Sequence, residues 1–94
     1  MRIGKIRHRG LRRFYEDDDP SGLPAASVPR IRNMLAALVF ADSIENLKAM
    51  PGWRLHQLTG DRRGQWSLTV TGNWRIIFRI EADEVADLDF EDYH

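Results

Sequence analysis

The hydrophobic period of this chain changes once, from helical to alternating, and the change falls at Pro51-Gly52. Before it, Val28, Ile31, Leu35, Leu38 and Val39 recur at helical spacing and mark one stripe that must be buried. After it, Trp66, Leu68 and Val70 alternate with polar residues. Trp74, Ile76, Phe78 and Ile80 then alternate with Arg75, Ile77 and Arg79, the period of a strand with two different faces. Helices first and a strand meander after leave one economical arrangement. Two to three N-terminal helices pack on one face of an antiparallel sheet, an α+β architecture.

The remaining boundaries follow from turn and cap chemistry. Arg2 to His8 reads as an opening strand, with Ile3 and Ile6 as its large apolar groups. Leu11 to Asp17 reads as a short helix with Leu11, Phe14 and Tyr15 on one face, and Asp18 to Pro24 is a loop. Ser27 is placed to cap the helix from Val28 to Ala41, with Pro29 in its first turn. Asp42-Ser43-Ile44-Glu45 has the spacing of a capping box and starts a short third helix, which Pro51-Gly52 stops. Strands are expected over Trp53–Leu58, Gln65–Thr71, Trp74–Ile80 and Glu84–Phe90, with Gly72-Asn73 as a tight reversal and Glu91 to His94 as a tail. Trp53, Trp66 and Trp74 are assigned to the core.

At 94 residues the chain is expected to form one domain, 1–94. With 43% apolar and 30% charged residues its composition is globular. It has no cysteine, which excludes disulfides and thiolate metal ligands; a small domain without staples suits the cytoplasm. No apolar stretch follows the basic N-terminus as in a signal peptide, and the longest apolar run, Met34 to Ala41, is too short to span a bilayer. The formal net charge is zero, but the charges are segregated. Met1 to Arg13 holds six cations and no acid, whereas Glu81 to Asp92 holds seven acids and no base. Arg54, Arg62, Arg63, Arg75 and Arg79 form a second basic set. Either a local positive face results, or the two ends lie together and neutralise each other.

Three histidines are present. His8 reads as a surface group, His56 lies on an expected strand beside Arg54, and His94 follows Asp92 and Tyr93. No metal-ligand spacing and no phosphate-binding glycine loop occurs, so neither a metal nor a cofactor is expected. Two histidines with several arginines suit cleavage of RNA through its own 2′-hydroxyl. That reaction needs a base for the hydroxyl, an acid for the departing 5′-oxygen and cations for the charge that builds on phosphorus. A lone strand histidine is also commonly structural. Arg62 and Arg75 fit equally as partners of Asp61 or of the acidic tail, and Asn73 fits a tight turn for its own sake.

Three segments carry a resemblance. Leu55-His56-Gln57-Leu58-Thr59-Gly60-Asp61-Arg62 resembles the L-H-x-L-x-G-D-R segment of HigB-type toxins of the RelE/ParE superfamily. Trp66-Ser67-Leu68-Thr69-Val70 with Gly72-Asn73-Trp74-Arg75-Ile76 resembles their paired strands, and Asp89-Phe90-Glu91-Asp92-Tyr93-His94 their closing motif. Ser21-Gly22-Leu23-Pro24 and Arg30-Ile31 also fit. The resemblance implies a curved antiparallel sheet with helices on one side. It implies an mRNA endoribonuclease acting in the ribosomal A site without a metal, partnered by the ribosome and by a HigA-type antitoxin. By the same resemblance His56 and His94 are the acid–base pair, unassigned between them, and Asp92 tunes a histidine. Tyr93 supports the reacting nucleotide, Arg75 and Arg62 hold the phosphate, and Asn73 lies near the base being read. Thr59 and Thr71 stand where some relatives carry basic residues. Two other readings remain open at this point: a ParE-like toxin that binds DNA gyrase without catalysis, and a non-toxic protein-binding module.

Overall fold

The computed structural model describes residues 1–92. Its elements are β1 (Arg2–Ile3), α1 (Arg9–Asp17), α2 (Val28–Phe40), α3 (Glu45–Lys48), β2 (His56–Gln57), β3 (Trp66–Thr69), β4 (Trp74–Glu81) and β5 (Glu84–Asp92). Single 3₁₀ turns lie at Ala25–Ser27 and Gly60–Arg62. The strands form one sheet in the order β1-β5-β4-β3-β2. From β2 to β5 it is antiparallel, as the meander predicts. β1 joins the far edge parallel to β5, so the sheet is mixed. Parallel pairing needs a long crossover, and here the chain from α1 to β4 supplies it.

The two charged ends of the sequence therefore do meet, but their charges pair only sparsely: Arg2 reaches Glu84 at 3.4 Å. The opening strand is shorter than Arg2–His8. Beyond Ile3 it keeps one bridge, between Ile6 and Leu88. His8 ends it by capping α1, its Nδ1 accepting the N–H of Leu11 at 3.1 Å. The expectation of a surface group at His8 thus gives way to a half-buried cap whose ring meets Phe90 edge-on at 5.5 Å.

Ile31, Met34, Leu35 and Leu38 are the buried stripe of α2; Val39 and, on α1, Tyr15 face outward instead. Ser27 is buried and its side chain makes no cap bond, because the 3₁₀ turn runs directly into α2. At α3 the cap also differs from expectation. Asn46 reaches back, its Oδ1 accepting the N–H groups of Asp42 and Ser43 at 2.9 and 3.1 Å. The helices pack against Leu68, Val70, Ile76, Phe78, Val85, Leu88 and Phe90 of the inner sheet face. Trp53 is buried there, while Trp66 and Trp74 are half-buried at its margin. The register slips between Ile77 and Arg79, with Asp87 at φ 49°, a bulge that bends β5 and adds to the sheet's twist.

A close backbone approach joins α1 to the loop before α2. A Cβ on Gly10 would stand 2.4 Å from the carbonyl oxygen of Gly22. Gly10→Ala is therefore expected to lower the melting temperature, although alanine favours a helix by about 1 kcal/mol over glycine. The overpacking cost of about 1–3 kcal/mol exceeds that gain. A thermal unfolding curve decides it, and a rise in melting temperature would contradict the packing argument.

Candidate functional site

The outer face of the sheet, opposite the helices, carries the candidate groups. His56 sits on the edge strand β2 opposite Ser67, and Ser67 pairs in turn with Ile77 and Ile77 with Asp89. Side chains in such a row share a face. Two residues along, Thr69, Arg75 and Glu91 form the next row on that face. Ile77 is fully buried yet separate from the main core, so the outer face has a cover of its own. The loop between β2 and β3 lies over this face. Gly64 lies against Arg79, where a Cβ would stand 2.8 Å from Nη1, and Arg62 reaches across to β5.

His56 is exposed and lines an open groove of about 380 Å³ together with Arg54, Thr69, Thr71 and Gly72. Its Nδ1 lies 2.9 Å from the carbonyl oxygen of Arg54. A carbonyl can only accept, so Nδ1 carries the proton and donates. In the neutral ring Nε2 then holds the lone pair, and Nε2 is the nitrogen left to exchange a proton with a substrate. The carbonyl is available because the ladder slips. The His56–Ser67 register would set Arg54 opposite Thr69, but the N–H of Thr69 donates to Trp53 at 2.7 Å instead. Arg54 becomes the extra residue of a bulge, at φ 50°. Arg30 of α2 fixes this region from behind, donating to the carbonyls of Gly52 at 2.8 Å and Thr69 at 3.4 Å. For this reason β2 covers only His56–Gln57 and not Trp53–Leu58.

Arg62 and Arg75 converge on one carboxylate. Arg62 forks onto both oxygens of Glu91, the longer contact being 3.1 Å, and its Nε donates to Gln65 at 2.8 Å. Arg75 donates to Glu91 Oε1 from Nε at 3.1 Å and from Nη2 at 2.8 Å. The Arg62 fork, with Arg75 adding to it, holds the Glu91 carboxyl below its ordinary value against the opposing effect of burial. Glu91 in turn raises the Arg62 guanidinium. Of the two partners open from the sequence, Asp61 or the acidic tail, the tail is the one found. Glu91 itself was read only as part of that tail. The signal that could have found it is the strand alternation that puts Arg75 and Glu91 on one face.

Asn73 lies in the turn between β3 and β4, next to the groove residue Gly72. The reversal is tight, as expected: the N–H groups of Val70 and Thr71 both donate to the Trp74 carbonyl, at 2.9 and 3.1 Å. Neither Gly72 nor Asn73 has a positive φ, and a Cβ on Gly72 would meet nothing within 4 Å. The turn is held further by Thr71, whose Oγ1 accepts the N–H groups of Asn73 and Trp74, both at 3.2 Å. Backbone geometry therefore makes no demand for Gly or Asn here. Asp92 ends β5 opposite Trp74, at the same end of the sheet as this turn. Tyr93 and His94 lie outside the described residues. Arg54, Thr69 and Gly72 join the groove without having been singled out, although the alternation Arg54-x-His56 is visible in the sequence. Among the described residues no cluster of three His, Asp or Glu side chains is placed to hold a metal ion, and no helix is long and apolar enough to cross a membrane.

A sheet backed by helices on one face, with an open groove lined by Arg54 and His56 on the other, is a fold shared with solved structures. Two solved structures superpose over nearly the whole chain. YafQ from E. coli aligns with a TM-score of 0.56 at 11% identity, covering 99% of this chain and 94% of that one. The YoeB/ParE toxin from Agrobacterium tumefaciens aligns with a TM-score of 0.58 at 16% identity, covering 100% of both. The family follows from sequence. Residues 4–94 match the HigB-like toxin family, RelE-like toxins of the type II toxin–antitoxin system HigB, and the chain belongs to it. Endoribonuclease HigB of Proteus vulgaris is 41% identical over 92 residues, 98% of this chain and 99% of that protein. A type II system pairs such a toxin with an antitoxin protein.

Proposed function

We propose that this toxin is an endoribonuclease that cuts messenger RNA in the ribosomal A site, in the cytoplasm, by metal-independent attack of the RNA's own 2′-hydroxyl. The endoribonuclease activity follows from membership of the HigB-like family and from the 41% identity to Endoribonuclease HigB. The observation that carries the mechanism is the bond from His56 Nδ1–H to the Arg54 carbonyl, which leaves Nε2 of this groove-lining residue as the nitrogen able to exchange a proton.

The reaction balances without a metal. One imidazole of the His56/His94 pair takes the 2′-hydroxyl proton as O2′ bonds to phosphorus. The P–O5′ bond breaks, and the other imidazole returns a proton to O5′. Asp92 tunes a histidine, and Tyr93 supports the reacting nucleotide. Arg75 holds the phosphate, and Arg62 fixes Arg75 through their shared Glu91. Asn73 stands beside the base being read, in the turn next to the groove residue Gly72. A HigA-type antitoxin is the protein partner.

The product ends test the route. Brief induction followed by end mapping of translated messages should reveal 5′-hydroxyl ends and 2′,3′-cyclic phosphate or 3′-phosphate ends. Products bearing only 3′-hydroxyls would refute internal attack. Growth arrest with intact messages would favour the gyrase-binding alternative.

A further inference from the structure

We infer that Arg54 is a further catalytic residue of this ribonuclease, its guanidinium binding the phosphate under attack while its backbone aims His56 into the same groove. The inference rests on the ribonuclease reading and adds a group to it. Three observations carry it, the first being conformation. Arg54 has φ 50°, a left-handed value that residues with a Cβ rarely adopt and that clusters at functional sites. Two residues earlier the chain places glycine at φ 79°, at Gly52, where only geometry is at issue. At position 54 a long cationic side chain is carried in spite of the strain.

The second observation is what the strain achieves. Slipping the ladder by one residue releases the Arg54 carbonyl from β3, and that carbonyl accepts Nδ1–H of His56 at 2.9 Å. The same residue lines the groove that His56 lines. One bulge residue thus fixes the histidine's working nitrogen and sets a cation beside it.

The third observation is charge. On this face Arg62 and Arg75 are bound to Glu91, and Arg79 lies 3.9 Å from Asp87. Arg54 forms no ion pair among the described residues. The other groove residues, Thr69, Thr71 and Gly72, carry no charge. When O2′ bonds to phosphorus, negative charge builds on the non-bridging oxygens, and a forked guanidinium in a groove wall is suited to take it. Solvated as an ordinary surface cation, Arg54 would have no effect on the rate.

The test is cleavage of a short message bound to ribosomes, followed as a single turnover over a range of toxin concentrations. Wild type runs beside Arg54→Gln, Arg54→Gly and Arg54→Lys. Glycine accepts the left-handed backbone and keeps the carbonyl, so it removes the cation alone. Gln and Gly variants should melt like wild type and lose about a hundredfold in rate at saturation, with the half-saturating concentration little changed. Lysine should recover about a tenth or more of the wild-type rate. Wild-type rates in the Gln and Gly variants would overturn the inference. So would a loss confined to the half-saturating concentration, since Arg54 would then only bind the ribosome. If wild type itself left the message intact, the ribonuclease reading would fall and this inference with it, a result distinct from the other two.

Discussion

Replacing His56 with alanine should leave a folded protein whose RNA cleavage has fallen about a hundred- to ten-thousandfold, the usual worth of a positioned acid or base. Folding should survive because His56 is exposed, sits on the edge strand, and among the described residues makes one side-chain bond, to Arg54 two residues away. Exposed substitutions away from caps and networks usually shift stability by about half a kcal/mol or less. His56→Gln separates chemistry from scaffolding. Its amide nitrogen stands where Nε2 stood and can still hydrogen-bond, yet it cannot take up a proton near neutral pH. Both variants should be equally inactive, with melting temperatures close to wild type. His94→Ala should match them. Single-turnover rates on ribosome-bound message measure this. A glutamine variant that keeps most of the rate would mean that the ring only positions RNA.

The fold was legible because its two hydrophobic periods are clean. Ile31, Leu35 and Leu38 on α2, and Ile76 and Phe78 on β4, are buried where the periodicity sets them. Periodicity is blind to groups whose role depends on a distant neighbour. His8 has no sequence mark of a cap, since the cap is its Nδ1 and not a Ser, Thr, Asn or Asp oxygen. The parallel edge formed by β1 depends on where the chain returns, which no local pattern records. The motif that carries the family resemblance puts forward His56, Arg62 and Arg75 as candidates; the structure places His56 in the groove and both arginines on Glu91. The motif did not show that Arg62 and Arg75 share Glu91, because residues 62, 75 and 91 meet only when the loop crosses the sheet. Nor did it show Arg54, whose part depends on a one-residue slip in a ladder. Such slips cost a residue its regular pairing and are invisible to an alternation count.

Glu91→Gln should destabilise the protein by about 1–3 kcal/mol near neutral pH, and should also flatten its loss of stability in acid. The carboxylate accepts from two guanidiniums at once and is only 27% exposed, so the neutral amide removes a charge that both partly covered cations bind. For a domain of this size each kcal/mol corresponds to a melting shift of about 4–8 °C. The acid effect follows from the shift of the carboxyl below its ordinary value of 4.5, caused first by Arg62 and then by Arg75. A group whose pKa falls on folding binds its proton more readily in the unfolded chain. Its contribution is therefore complete above about pH 4.5 and is lost as the pH drops through the lower folded value. Glutamine has no such proton, so the gap between wild type and variant should close as the solution is acidified below that pH. Urea unfolding from neutral pH into this acid range measures both quantities. Parallel stability curves for the two proteins would show that Glu91 is solvated like any surface carboxylate. The cleavage rate carries the second consequence, since Arg75 is held by the same carboxylate. At a pH and temperature where the variant is fully folded, it should cut more slowly than wild type. A destabilised variant with an unchanged rate would limit Glu91 to anchoring the loop and would leave Arg75 positioned by other contacts.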